Sequence, residues 1–543
     1  MDKCWWKDAV IYAVDVERFF DSDGDGIGDF KGLASKLGYI SDLGVTCIWL
    51  MPFYPSSGRD NGYDITDYLR VDTRFGLFED FLEFVHRAGE YGIRIVVDLV
   101  VHHTSTQHPW FQAGRHNESS SYRDYYVWTH NPPPTPPGKG TIFPGEEETV
   151  WTYDDVARAY YHHRFYHFEP GLNHANPEVR AEIIRIVDYW LSFGVAGFRV
   201  DAASHIEEDP LSKTGKEQTS PDVLREIYDR ASGFKSDVVL LGEVDETPEK
   251  LEKFFDGTRL DMMFNFLLNC HMMLSLASET AEPLQRGLAL QPVPPPNGQW
   301  ANFLRNFDEA DLERLSPQEL EFVLDRFAPD ERMRIYDRGI RRRLAPMLGG
   351  DPRRIKMAMS LLFSMPGAPL VVYGDEIGMG EDLSQDGRNS VRSPMQWTGG
   401  HNAGFSSAQK NKLVQAVIED GPFGYGKVNV EAQTQDKDSL LSFVKKLVKI
   451  RRQRIEIGSG FCAFLESGSD HVLAHHYKSE FAPLVLLHNL KGDEAEVNVP
   501  LPPGATRLAA LVGDEPPAVE NGRLRLTLEP YGLRWFGLPH EGG

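Results

Sequence analysis

The chain of 543 residues is 41% apolar and carries a formal net charge of −23. That is enough apolar sequence for a large core and two or three domains. So negative a surface excludes nucleic acid and anionic membranes as natural partners, and a small neutral molecule fits better than a phosphate-rich one.

Phe, Trp and Tyr make up 11% of the residues, which suits stacking on flat ligand faces. Cys4, Cys47, Cys270 and Cys462 are scattered and show no metal-ligand spacing, as expected for reduced thiols in a cytoplasmic protein. The N-terminal stretch "MDKCWWKDAV" has no secretory apolar region, and no run approaches the ~18 apolar residues of a membrane span.

In chain order, eight short β-rich apolar runs recur: "AVIYAVDV" from Ala9, "VTCIWLM" from Val45, "IRIVVDLVV" from Ile93, "VAGFRVD" from Val195, "VVLLGEV" from Val238, "DMMFNF" from Asp261, "QWANFLRN" from Gln299 and "APLVVYGDE" from Ala368. Amphipathic stretches such as "FEDFLEFVHRAGEYG" and "PEVRAEIIRIVDYWLSFG" separate most of them. This alternation predicts an α/β chain closed into a (β/α)8 TIM barrel, with an open doubly wound sheet as the alternative. The barrel would occupy residues 1–103 and 171–454. An inserted subdomain, rich in Pro, His, Tyr and Trp and containing "NPPPTPPGKG", would occupy 104–170. A charged helical insertion is expected at 309–350, with Arg341, Arg342 and Arg343 on a solvated or ion-paired helix face. From 455 to 543, short alternating segments with Gly and Pro turns predict a C-terminal all-β sandwich.

Acids at the C-terminal ends of barrel strands are the ones placed for chemistry. Asp98 lies in the third predicted strand, Asp201 ends the fourth, Glu243 ends the fifth and Asp308 follows the seventh. A single such acid reads as a cap or an ion-pair member. Several on one rim raise one another's pKa, and two carboxylates flanking a bond are the machinery of glycoside cleavage. Arg199, two residues before Asp201, shares its face of the strand. It is expected to keep Asp201 ionised, leaving Glu243 to carry the raised pKa of an acid catalyst.

"DLVVHHTS" (98–105), "GFRVDAASH" (197–205), "LLGEV" (240–244) and "LRNFDE" (304–309) resemble the four short regions of the α-amylase superfamily, glycoside hydrolase family 13. "DGDGIGDFKGL", "PFYPSSGRDNGYDITDY", "RRRLAPML", "YGDEIGMG", "VRSPMQW" and "NAGFS" are more similar to its trehalose synthases (maltose α-glucosyltransferases) than to its starch-degrading members. The resemblance implies Asp201 as nucleophile, Glu243 as acid/base and Asp308 as the acid that grips the hydroxyls of the distorted sugar. It implies a glucose subsite lined by Tyr63, Asp64, His103 and Phe307, with Arg199 orienting Asp201, His205 towards the acceptor and Arg388 or Arg392 closing the pocket. Retention of configuration follows, with the two carboxyl groups about 5–5.5 Å apart. No organic cofactor is expected, and the substrate would be a small neutral α-linked disaccharide.

Four positions depart from the family pattern. His102 stands where Asn is usual, Phe307 where His is usual, and Gly171 where "PDLN" has Asp; no Trp follows the acid/base in "GEVDETP". His102 and Gly171 replace oxygen ligands of a calcium site that is therefore expected to be absent. The loop "DSDGDGIGD" offers Asp21, Asp23, Asp25, Asp29 and the main chain of Ile27 to Ca2+ or Mg2+, the alternative being a solvated acidic turn. Phe307 removes a hydrogen bond to a glucose hydroxyl. Three functions stay open: intramolecular conversion of maltose to trehalose, hydrolysis or transglucosylation of short α-glucosides such as maltose, trehalose or sucrose, and sugar binding without catalysis.

Overall fold

The computed structural model describes residues 4–133, 141–206, 210–211, 222–478, 484–502 and 508–537. Eight parallel strands close into a barrel: β1 (Ile11–Val14), β2 (Cys47–Leu50), β3 (Arg94–Leu99), β4 (Gly197–Val200), β5 (Val239–Gly242), β6 (Met262–Phe264), β7 (Gln299–Phe303) and β8 (Ala368–Val372). Each pairs with its sequence neighbours, and β8 closes on β1 with Ile11 opposite Leu370. Every residue of β1, β2, β4, β5, β6, β7 and β8 is buried, as befits strands covered on both faces. Gly197 shows how closely the strands approach: a Cβ there would lie 2.0 Å from the Val239 carbonyl oxygen, and its φ is +154°.

The covering helices follow from spacing and caps. Phe78–Glu90 buries Phe81, Phe84 and Ala88 along one stripe. Pro177–Ser192 starts on Asn176, whose side chain accepts the Glu178 N–H at 2.9 Å, and buries Val179, Ile183, Ile186, Val187, Trp190 and Leu191.

Between β3 and β4 the chain makes a long excursion. It carries the helix Pro109–His116 and a three-stranded antiparallel sheet with Ala159–His162 between Trp128–Thr129 and Trp151–Asp154. An antiparallel bridge, His103 to Gly171, pins its base to the barrel. The proline-rich stretch "NPPPTPPGKG" lies largely outside the described residues.

The segment after β7 departs from expectation. "SPQELEFVLDRF" is the helix Pro317–Phe327, closed at its start by a Ser316–Glu319 capping box. The following "RMRIYDRGI" leaves a single 3-10 turn, Glu331–Met333, and does not continue as a helix. Arg334–Ile335 and Gly339–Ile340 form a hairpin, and Ala310–Asp311 adds a third strand. The chain turns at Tyr336 and Asp337, both left-handed at φ 56° and 59°. Arg341–Arg343 lie in extended chain rather than on a helix, with Arg342 on Glu381 (2.7 Å) and Arg343 on Asp375 (3.1 Å).

Beyond the barrel, a five-stranded sheet runs in the order Cys462–Phe464, Val472–Tyr477, Leu484–Asn489, Leu533–Gly537, Ala509–Val512. The pair Ala495–Pro500 and Arg523–Leu528 packs on one face through Val472, Val485, Leu487, Phe536, Val497, Val499 and Leu524. The other face gives Leu473, Tyr477, Leu486 and Trp535 to the main core.

Candidate active site

Loops following β2 to β8 enclose a cavity of about 380 Å3, within the range of small-ligand sites (about 300–1,000 Å3). Asp201 and Glu243 are the first residues after β4 and β5, and Asp308 is reached five residues after β7; all three line the cavity. Arg199 opposes Asp98 in the β4–β3 register. Its guanidinium is buried among Trp49, Tyr63 and Phe264. It lies 2.8 Å from Asp98, 2.6 Å from Asp201 and 2.9 Å from Glu243.

One cation faces three carboxylates in a desolvated place. Burial pushes Asp201 well above the usual carboxylate range, and Glu243, Asp98 and Asp308 add to this against Arg199. Burial likewise raises Asp98 to about 6, again against Arg199. Arg199 lowers Asp201, as the sequence leads one to expect, and burial acts against it. Desolvation falls mainly on Asp201, whose side chain is 9% exposed, compared with 25% for Glu243. Asp308 shifts the other way. Burial would raise it, but Arg388 at 3.1 Å and Arg392 at 3.0 Å, with Arg199 and Arg305, hold it below the usual range.

The backbone around Asp201 is strained. Ala202 is left-handed (φ 47°, ψ 37°), and in that conformation its N–H donates to Glu243 Oε2 at 3.0 Å. The two acids are therefore coupled through Arg199 and through the main chain.

Tyr63, His103, Arg199 and His205 line the cavity. Three other expected contacts do not. Asp64 is fully buried in its own turn, where it accepts from the Ser57 hydroxyl and from the N–H groups of Arg59 (3.1 Å) and Asp60 (3.2 Å); Asp60 lines the cavity instead. Phe307 is 1% exposed and packs edge-on against Trp49 (5.5 Å) and beside Tyr373 (5.9 Å), because a phenyl ring gains more from that contact than from a polar cavity. Arg392 reaches Asp308 from behind and donates its Nε–H to the Phe307 carbonyl at 3.0 Å, while Arg388 is the arginine that faces the cavity.

The excursion after β3 supplies two further parts of the wall whose residues were not named from the sequence. Glu169 comes from the base of the excursion after β3; its one sequence signal is its place in "EPGLN", two residues before the departure at Gly171. The second is Phe143, which lines the cavity and is backed by two tyrosine rings that do not. Phe143 stacks on Tyr166 (4.5 Å) and Tyr336 (4.9 Å), the two tyrosine hydroxyls are 3.2 Å apart, and Arg388 covers the Phe143 ring at 4.8 Å. Met395 and Trp397 of "VRSPMQW" are buried and do not line the cavity.

In the loop after β1, the carboxylates of Asp21, Asp23 and Asp29 converge within 4.8 Å of one another. Asp25 is outside this group and accepts the Ile27 N–H at 2.8 Å, so the expected five-residue ligand set reduces to three converging carboxylates. These are hard oxygen donors suited to Ca2+ or Mg2+. Burial and the charges of Asp25, Asp21 and Asp29 raise the Asp23 carboxyl, an arrangement a cation would relieve. His102 sits among imidazoles and the Phe165 ring, and burial followed by His103, His174 and His205 drives it well below its ordinary pKa.

A sequence model described as "Alpha amylase, catalytic domain" matches residues 11–460. The chain belongs to the α-amylase family. A second model, "Sucrose hydrolase-like, C-terminal domain", matches residues 482–537. The chain is 40% identical over 549 residues to a trehalose synthase of Thermus thermophilus, covering 99% of this chain but 56% of that longer protein. It is 40% identical over 486 residues to "Trehalose synthase/amylase TreS" of Mycolicibacterium smegmatis, covering 87% of this chain and 80% of that one. Its fold matches the trehalulose synthase MutB from Pseudomonas mesoacidophila MX-45 with a TM-score of 0.79 at 25% identity, over 98% and 99% of the two chains. Among the described residues, no helix is long and apolar enough to cross a membrane.

Proposed function

We propose that this α-amylase family member converts maltose to trehalose by retaining intramolecular transglucosylation, with hydrolysis as its side reaction. The observation that carries the reading is the bridging of Asp201 and Glu243 by Arg199 in one cavity with Asp308. Asp201 attacks the anomeric carbon of the bound glucosyl unit while Glu243 delivers a proton to the departing O4. The bond from C1 to O4 breaks and a bond from C1 to the Asp201 carboxylate forms. Positive charge developing at C1 favours the ionised form of Asp201 at that moment, so the proton held by the pair resides on Glu243. Asp308, kept ionised by Arg388 and Arg392, accepts hydroxyl hydrogen bonds from the distorted ring.

The freed glucose then turns, its anomeric hydroxyl gives its proton to Glu243, and its oxygen displaces Asp201 from C1. This requires that glucose outlast the entry of water. The ring seam of Phe143, Tyr166 and Tyr336, with Arg388 across it, supports such retention. Incubation with maltose and chromatographic separation of the products tests the reading. Trehalose in excess of glucose is expected, glucose alone reassigns the enzyme as a hydrolase, and no turnover of any α-glucoside leaves only sugar binding.

The loop after β1 is assigned to Ca2+ or Mg2+, held by Asp21, Asp23 and Asp29; the ion would brace the loop and takes no part in the reaction. Added Ca2+ should raise the melting temperature of the chain and leave Asp21→Asn unchanged. The four free thiols suit a cytoplasmic setting.

A further inference from the structure

A second, smaller cavity lies at the other end of the barrel. It measures about 170 Å3, and its wall includes Trp6, Tyr228, Ala231, Leu240, Asp261 and Asn297. Trp6 belongs to the 3-10 turn Trp5–Asp8 that precedes β1, and Tyr228 and Ala231 to the helix Val223–Phe234. Asp261 is the residue immediately before β6, whereas Asp201 and Glu243 follow the opposite, C-terminal ends of their strands. The wall is tied together by its own polar groups. Trp6 Nε1–H donates to the Asn297 carbonyl at 2.7 Å, and Asn297 Nδ2 donates to the Tyr228 hydroxyl at 3.3 Å.

Asp261 is the unusual part of this wall. It is 3% exposed, and no cation among the described residues pairs with it. Its Oδ2 accepts the Leu240 N–H at 2.9 Å, and among the described residues nothing bonds to Oδ1. A purely structural account makes Asp261 an acceptor for that one N–H. An asparagine would serve as well without burying an ionisable carboxyl. Burial raises the acid to about 7, with only the Leu240 N–H acting against it. A buried carboxylate without a counter-charge is costly, and a cation brought to it offsets the cost. The rest of the wall indicates the kind of cation. Ca2+ and Mg2+ favour several oxygen ligands, and this wall offers one carboxylate beside the apolar Ala231, Val238 and Leu240. Indole and phenol rings such as those of Trp6 and Tyr228 suit an organic cation. The volume equals the share of about six water molecules in the liquid, which sets the ligand's size at a handful of non-hydrogen atoms.

We propose that the cavity beside Asp261 is a binding site for a small organic ammonium ion, its charged head on the Asp261 carboxylate and its carbon tail against the apolar wall. The inference stands apart from the α-glucoside reading, because the site is at the opposite end of the barrel and needs no turnover. Calorimetry on the full chain tests it, with propylammonium chloride as the probe and propan-1-ol as the neutral molecule of the same size. Propylammonium should bind with a Kd of about 1 mM, and propan-1-ol about 10-fold more weakly or not at all. Asp261→Asn keeps an acceptor for the Leu240 N–H. It should weaken propylammonium binding by about 10-fold or more and leave maltose turnover unchanged. Ala231→Leu, which fills part of the same volume and leaves the acid in place, should weaken it as well, so either variant decides if the other fails to fold. Equal binding of propylammonium and propan-1-ol overturns the proposal. So does propylammonium binding that is undiminished in a folded Asp261→Asn or Ala231→Leu chain, the result expected of a cation held by the carboxylates of the catalytic cavity.

Discussion

The mouth of the barrel and the junction between barrel and C-terminal sheets both bury polar side chains, and they treat them oppositely. At the junction each group has a contact to main chain or a hydroxyl, although the Nδ1 atoms of His475 and His488 have no hydrogen-bond partner. His475 Nε2 contacts the Ser364 carbonyl at 3.2 Å, His488 Nε2 the Ser360 hydroxyl at 2.8 Å, Trp535 Nε1–H donates to that same hydroxyl at 2.8 Å, and Tyr477 donates to the Ser364 carbonyl at 2.8 Å. At the mouth, carboxylates compete for Arg199, Ala202 is strained, and His103 and Glu169 face each other unbonded. Burial at the junction favours a single packed arrangement. Burial at the mouth gathers carboxylates that compete for one cation, which is why the two kinds of buried polar group carry different meanings.

The sharpest way to break the contrast is Asp201→Asn. It should lower kcat on maltose by roughly 10^4-fold while shifting the melting temperature little, because it removes a group that was costly to bury. A comparable loss of stability would place Asp201 with the junction groups.

Next in size is acid sensitivity, which belongs to the junction. His475 is depressed to about 4 by burial, and His488 lies well below its ordinary value for the same reason. Unfolded imidazole titrates near 6.5. Above that pH both states are neutral; below it the unfolded state binds protons that the folded state refuses, so stability falls as pH drops from about 6.5 towards about 4. For His475 the loss is roughly 3 kcal/mol when complete. Melting temperatures across this window should flatten in a His475→Gln, His488→Gln variant. An unchanged slope would move the effect to other buried histidines such as His174, also depressed to about 4.

The mouth should show its own titration. Because Asp201 must be ionised to attack and is raised by burial and its acidic neighbours, the acid limb of kcat/KM should lie above the usual Asp value of about 3.9. A limb at or below that value would show Asp201 to be ionised by Arg199 after all. The smallest effect is expected at the ring seam. Phe143→Ala should admit water and raise the glucose-to-trehalose ratio several-fold with little change in total maltose consumed; an unchanged ratio would remove the seam from the account.

Much of the fold could be read before any coordinates. The eight runs beginning at Ala9 through Ala368 each contain a barrel strand because continuous burial on both faces demands unbroken β-branched and aromatic sequence. The helices Phe78–Glu90, Pro177–Ser192 and Pro317–Phe327 announce themselves by stripe and cap. The hairpin at Tyr336 escaped because its two-residue strands are too short for periodicity, and its turn places Tyr and Asp at positive φ where Gly or Asn would signal it.

The site divides the same way. Local sequence determined which acids stand at strand ends and that Arg199 shares a face with Asp201, since strand alternation is a property of neighbouring residues. Tertiary structure alone decided that Asp64, Phe307 and Arg392 turn away while Asp60, Glu169 and Arg388 face the cavity. It also decided that burial acts against Arg199 at Asp201, and that Phe143 of the cavity wall and Tyr336, nearly two hundred residues apart, meet. Direction and desolvation depend on what the rest of the chain packs behind each side chain, and no local stretch of sequence contains that.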